Sequence, residues 1–547
     1  MVVEKADLLF QTKDAVRGLP LTSQIADIFH SAKDRFQLPK MAIAQVLASS
    51  TTIPQTCFSG NHFASDLYLS TIVKEMLKPT YAGPFVYEVL KAAPFDLETI
   101  HFRQEIAKEI QNASKRERVD TIYGSLGKIV ESYQQLMLAG GSLGDMTHSW
   151  YYPERGGEAR EFAGKVSLLY HYFKAVEKIS TSSFNSGLSR LVDYAKKIKT
   201  STRFKDMAQY VMGVSEHLTI SANVQMSFSL LGGITEKKLM PVSAATIDPH
   251  LRQKFSLRKY SPFLTSAIMD MVDTFIEENT PDILTLASTV GELEFYLGTS
   301  TFSELLNKRG MPSILPDYEK RNHLKIKEMH NPLLLFQELT DEFSSTPNDV
   351  YFDDEKRLYV ITGPNDGGKS VYLRAVGLAI LLGQSGYPIP ALEAYMDIFD
   401  GIYTHMIPKD DVKKKRGRYR QELLQLRYIF ENATPDSFLL FDEPCGGTDA
   451  GQGITQSLTT VRKSHMLTAK TLFATHMHEI PEDIENYPYA HNLQVEIKQE
   501  GGKPRLTHKV LPGKAGQSFG ELVAKDVGVD EESLDRLLLD RFPYLRS

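Results

Sequence analysis

The stretch Leu358–Val376, LYVITGPNDGGKSVYLRAV, decides how the second half of the chain folds. An apolar, β-branched run from Leu358 to Thr362 gives way to Gly363-Pro364-Asn365-Asp366-Gly367-Gly368-Lys369-Ser370, and a helical pattern begins near Ser370. Buried strand, glycine-rich turn and helix start together match the phosphate-cradling form G-x-x-x-x-G-K-[ST]. Glycines admit phosphate oxygens to the backbone N–H groups with no Cβ in the way, and the helix N-terminus adds positive potential. Lys369 is expected to neutralise β and γ phosphates, and Ser370 to place its hydroxyl on Mg²⁺. The run from Gly363 to Val371 is therefore the expected ATP-binding segment.

The bulk properties bound the rest. At 547 residues the chain exceeds one comfortable core, and at about 150 residues per domain several units are expected. Hydrophobic residues make up 42% and charged residues 24%, with no apolar run long enough to cross a bilayer. The first twenty residues carry acidic side chains where a signal or transit peptide needs basic ones, so a cytoplasmic location with no membrane partner is expected. Cys57 and Cys445, far apart in sequence, support neither a disulfide framework nor a cysteine-rich metal site. A net charge of −6 argues against a general polyanion-coating protein but leaves room for a local basic patch.

From about residue 100 to 330 the helical period dominates. Phe162, Val166, Leu169, Phe173 and Val176 step by four and three, and the same rhythm returns in Ile283, Leu286, Val290, Leu293 and Leu297. These stripes are read as packing faces of long amphipathic helices. LTISANVQMSFSLLGGITEKKLMPV, residues 218–242, alternates with a period of two before Gly232-Gly233, which predicts a strand and hairpin. The glycine-rich stretch 139–160 sets Trp150, Tyr151 and Tyr152 near Arg155; such aromatics can stack on bases, although a loop of this kind more often pins itself to its own domain.

Beyond about residue 326 the pattern changes to short apolar strands separated by helices, in RLYVIT (357–362), SFLLF (437–441) and KTLFAT (470–475). Ligands in such sheets bind at the carboxyl ends of the strands. The second strand runs into Asp442 and Glu443. A carboxylate at the end of a buried strand needs a cation nearby, so Asp442 is the expected Mg²⁺ ligand alongside Ser370, and Glu443 the group that orients or activates an attacking water. The third strand ends at His476, which is placed to sense a γ-phosphate. His478 invites an H-x-H metal reading, but no third ligand is spaced nearby.

Taken in order, TGPNDGGKSVYLR, FDGIYTHMIPKDD, LLFDEPCGGTDAG, FATHMHEI and KVLPGKAGQSFGELVAKDVGV resemble the ATPase domain of the MutS family of DNA mismatch-repair proteins. Upstream, MHNPLL (329–334) and EFSSTPNDVYF (342–352) are similar to the segment preceding the nucleotide loop in that family, where an aromatic stacks on adenine; Phe343 is the matching position. APFDLETIHFRQEI (93–106), with the pair Arg103-Gln104, resembles the start of the family's helical core. The resemblance implies a multidomain chain: an N-terminal helical segment (1–60), an all-α helical core or lever region with a small β insertion (61–325), and an α/β P-loop ABC-type ATPase domain with C-terminal dimerisation helices (326–547). It implies ATP and Mg²⁺ as cofactors, Lys369, Glu443 and His476 as catalytic residues, a homodimer, repair partners, and mismatched, branched or distorted DNA as substrate.

The sequence departs from the family in two places. This sequence is expected to hold too little chain ahead of the core for the family's mismatch-reading domain, and PFVYEV (84–89) is better explained by helix packing than as its wedge. In the signature loop the family's Ser-Thr-Phe is replaced by Gly417-Arg418-Tyr419 within KKKRGRYRQE. In the family this segment touches the γ-phosphate of the partner subunit's nucleotide, so Gly417 with Arg418, or Arg416, is expected at that contact, the arginine acting as a finger; the plain alternative is a solvated basic loop. Two other classes remain open on sequence: an ATPase acting on stalled ribosomes or another RNA machine, and a transport-type ATPase subunit.

Overall fold

The helical stripes of the sequence are packing faces in the structure, a computed structural model that describes residues 7–9, 57–58, 62–138, 157–208, 262–318, 323–336, 345–364, 366–406, 418–446, 450–500, 503–514 and 527–542. Two compact units divide the chain. One takes in Lys78–Glu88 and Glu105–Ser300, the other Thr56–Leu77, Val89–Gln104 and Thr301–Ser547.

In the first unit the helix Ala113–Leu138 packs along Gly157–Ser180, which packs in turn on Ser189–Thr200. Val166, Leu169, Phe173 and Val176 are buried along one face of Gly157–Ser180. Ile283, Leu286, Val290 and Leu293 are likewise buried on the long helix Pro262–Lys308, most of which belongs to this unit. PFVYEV falls within the helix Gly83–Lys91, with Phe85 and Val86 buried. The hairpin expected over 218–242 and residues 139–156 lie outside the described residues, and the side chain of Phe162 does too. Among the described residues no helix is long and apolar enough to cross a membrane.

The second unit is built on a six-stranded mixed sheet ordered β5-β6-β7-β3-β8-β9: β3 is Leu358–Thr362, β5 Ile402–His405, β6 Phe438–Asp442, β7 Lys470–Thr475, β8 Ala490–Glu500 and β9 Lys503–Pro512. Every neighbouring pair is parallel except β8 and β9. A smaller antiparallel sheet, β2-β1-β4, is formed by Asn348–Phe352, Leu324–Met329 and Glu393–Tyr395. All residues of β3, β6 and β7 are buried, in keeping with the apolar centres of these strands. Their registers, Thr362 opposite Thr475 and Asp442 opposite Ala474, align the three carboxyl ends.

The helix Lys369–Gln384 follows β3 and closes with a glycine cap. Gly386, at φ 85°, donates its N–H to Gly383 O, and Tyr387 donates to Leu382 O, the two bonds of a left-handed helix stop. A Cβ on Gly386 would stand 2.5 Å from the Cβ of Arg103, itself fully buried. Its neighbour Gln104 donates to Pro316 O, while Gln384 bridges Pro94 O and Phe399 O. Pro94, Arg103 and Gln104 thus help secure the far end of the helix that follows the glycine-rich turn. Gly386→Ala meets both a left-handed backbone and a steric collision, so we expect a loss of roughly 3 kcal/mol. Urea unfolding measures it; a loss under about 1 kcal/mol would show the cap to be dispensable.

Candidate functional site

The glycine-rich turn has the tight form its sequence requires. Gly368 lies at φ 93° and precedes the helix Lys369–Gln384 as its N-cap. A Cβ on Gly367 would lie 2.9 Å from Pro364 O, and one on Gly363 would lie 2.9 Å from the Cβ of Val495 on β8. Asp366 also holds positive φ, at 66°. The nearly buried Lys369 folds its Nζ over the turn, donating to Gly363 O at 2.9 Å and Pro364 O at 3.1 Å, and stands 3.4 Å from Glu443 Oε1.

Glu443 connects this lysine to the third strand. Its other oxygen, Oε2, lies 3.4 Å from His476 Nδ1. The residue occupies the left-handed region at φ 49°, fixed by its own N–H on Ala474 O at 2.9 Å and by Gly446 N–H on its carbonyl. A non-glycine residue adopts that geometry at some cost, here overcome by the strand pairing around it. The hydrogen bond from His476 and the charge of Lys369 hold the Glu443 carboxyl below its ordinary range despite burial. Glu443 in turn raises His476 above its ordinary value, against partial burial and the repulsion of Lys369. A charged Glu443 therefore faces a histidine biased toward its protonated form.

Asp442, 8% exposed at the end of β6, is pushed up by burial; the Ser370 hydroxyl and the charges of Arg374 and Lys369 oppose that rise. A buried carboxylate joined to a serine hydroxyl beside a glycine cradle is an oxygen donor set suited to a hard divalent cation that keeps waters and phosphate oxygens in its shell. Asp442 and Ser370 thus fit Mg²⁺.

Of the residues expected from sequence, the structure brings together Gly363, Pro364, Asp366, Gly367, Gly368, Lys369, Ser370, Asp442, Glu443 and His476. Val371 is partly exposed, and its carbonyl accepts from Asn331 Nδ2 at 2.8 Å, tying the MHNPLL segment to the loop's helix. Phe343, Asn365 and Gly417 lie outside the described residues, as does Arg416; Arg418 opens the helix Arg418–Asn432, with its side chain also outside them. His478 precedes the short helix Glu479–Asp483, and no group of three potential ligands for a metal ion occurs among the described residues. The sequence reading missed two residues. His508 on β9 sets Nδ1 3.3 Å from Gly367 O, flanking the turn. Arg374 stands one helical turn beyond Ser370, a spacing visible in the sequence once the helix is assigned.

The Glu443–His476 pair gives a pH dependence with a defined sign. Because His476 is raised in the folded protein, its stabilising charge is fully present below the ordinary histidine value and is lost as pH rises through the raised one. Between about pH 6 and about pH 8.5 the melting temperature of the wild type should fall relative to His476→Gln, measured by scanning fluorimetry. A constant difference across that range would exclude the charged pair.

Comparison with known proteins agrees with this geometry. MutS domain V matches residues 359–537. The DNA mismatch repair protein MutS of Lactobacillus delbrueckii subsp. bulgaricus is 29% identical over 300 residues, which is 54% of this chain and 34% of that protein. The protein of the same name from a Thermotoga species is 34% identical over 237 residues, 43% of this chain and 29% of its own. That of Oceanobacillus iheyensis is 32% identical over 262 residues, 48% and 29% respectively. The matches thus span about a third of the length of these curated relatives. Residues 359–537, which include Lys369, Asp442, Glu443 and His476, are thus similar to MutS domain V.

Proposed function

We propose that the chain is a Mg²⁺-dependent ATPase that couples nucleotide binding to the handling of mismatched, branched or distorted DNA. The observation that carries this reading is the convergence of Lys369, Glu443 and His476 with the Ser370–Asp442 pair at three aligned strand ends. In it, the loop from Gly363 to Val371 cradles the phosphates, Ser370 and Asp442 hold Mg²⁺, Lys369 counters phosphate charge, and Glu443 orients the attacking water. His476, held by Glu443, is placed to register the γ-phosphate. Phe343 takes the adenine face.

The chain acts as a homodimer, in which Gly417 and Arg418 reach the partner subunit's nucleotide. The C-terminal helix Glu531–Arg541 supports a second copy: Leu534, Leu537 and Leu538 are exposed at 40%, 47% and 43%. ATP drives closure of the dimer only to the extent that it binds the closed arrangement more tightly than the open one. Within this proposal residues 326–547 are the ATPase domain, and the helical residues 61–325 are levers that pass closure to bound DNA, in a cytoplasmic repair setting.

Steady-state ATPase assays on Lys369→Ala and Glu443→Gln test the site. Each should lower kcat by about 100-fold or more while the fold is retained. Lys369→Ala mixed with Arg418→Ala should recover part of the activity if the loop acts in trans. Normal turnover in Lys369→Ala overturns the nucleotide assignment. Turnover stimulated by ribosomes but not by four-way-junction DNA, measured in parallel, overturns the DNA assignment alone.

A further inference from the structure

A short segment remote in sequence, His62 to Tyr68, packs against the helix that begins at the phosphate loop, within the same compact unit. Leu67, fully buried, lies so near this helix that a Cβ on Gly377 would come within 2.8 Å of both its side chain and that of Leu440 on β6. Two polar contacts anchor the segment on either side. On one, the Asp66 carboxylate accepts from Thr404 Oγ1 at 2.7 Å and from the Met406 N–H, at the end of β5. On the other, Arg374 Nε donates to Asp66 O at 2.9 Å, and its guanidinium lies 5.2 Å from the centre of the Tyr68 ring.

Arg374 is four residues beyond Ser370, on the same face of the helix, and its charge acts on Asp442. A guanidinium is a planar fork well matched to a carboxylate, so a free Arg374 would be drawn into a bidentate pair with Asp442. Such a pair would occupy the oxygens that the site offers to a divalent cation. Asp442 instead accepts from Ser370, and among the described residues it makes no ion pair with Arg374 within 4.0 Å. The carbonyl of Asp66 and the face of Tyr68 provide the competing attachment, the ring contributing a cation–π interaction.

We propose that residues His62 to Tyr68 form a clasp that holds the Arg374 guanidinium out of ion-pair contact with Asp442, leaving that carboxylate to Ser370 and to a divalent cation. Asp66 and Tyr68 are then positioning residues for the nucleotide site, acting through Arg374. This inference rests on the reading of Ser370 and Asp442 as the Mg²⁺ pair.

The test uses the full chain and a fluorescent ADP analogue, titrated once with EDTA and once with Mg²⁺; the ratio of the two affinities is the magnesium increment. Tyr68 is 43% exposed, so Tyr68→Ala is expected to fold. Loosening the guanidinium should reduce the increment about fivefold with the EDTA affinity little changed. Adding Arg374→Gln to Tyr68→Ala removes the competing charge and should bring the increment back to within about twofold of the wild type. Asp66→Asn, which weakens the anchor at β5, should shift the increment in the same direction as Tyr68→Ala. An unchanged increment in Tyr68→Ala, or a loss that Arg374→Gln fails to rescue, overturns the clasp. Wild-type protein that binds the analogue with no magnesium increment overturns the metal reading of Asp442 and Ser370, and the clasp with it.

Discussion

A carboxylate buried at the end of a buried strand must find positive charge or hydrogen-bond donors, and the candidate site of this chain is organised around that demand. Asp442 and Glu443 end β6 side by side and resolve it differently. Asp442, the more deeply buried, accepts from Ser370 under the influence of Arg374 and Lys369. Glu443, turned by its left-handed backbone, lies between Lys369 and His476. Adjacent residues are thereby set in separate environments, which the proposed function uses for separate roles: one to hold a cation, the other to remain ionised and orient a nucleophile.

The helix bearing Lys369 and Ser370 is held at its start, its middle and its end. Its start is set by the glycine turn and by Asn331 on the Val371 carbonyl. Its middle meets Leu67 and Leu440 at Gly377, and its end is capped at Gly386 against Arg103. Two of these supports come from the first fifth of the sequence. Thr56–Leu77 and Val89–Gln104 are thus part of the compact unit that carries the glycine-rich turn.

What was legible in the sequence follows from what local pattern can encode. β3, β6 and β7 are buried on both faces and carry short apolar runs at their centres, and the glycine-rich turn is legible through its glycines. β1 and β2 alternate between buried and more exposed positions and make weaker runs, so the second sheet was not anticipated. Nor was the antiparallel β8–β9 pair, whose strands carry many charged and polar residues. The clasp and His508 were invisible for a different reason. Asp66 and Arg374 are 308 positions apart and Gly367 and His508 are 141 apart, and no periodicity links residues at such separations. Asp442, Glu443 and His476 are legible as candidates because each stands at a strand end, where chemistry in parallel sheets concentrates, and Lys369 because it closes the glycine-rich motif.

Hydrogen–deuterium exchange of the full chain with and without Mg²⁺ and a nonhydrolysable ATP analogue tests the central claim most directly, since it reads nucleotide contact at the backbone itself. The amides of Gly367 to Arg374 and of Asp442 to Gly446 should exchange at least about tenfold more slowly with nucleotide bound. Unchanged exchange in both segments at saturating analogue would contradict the account.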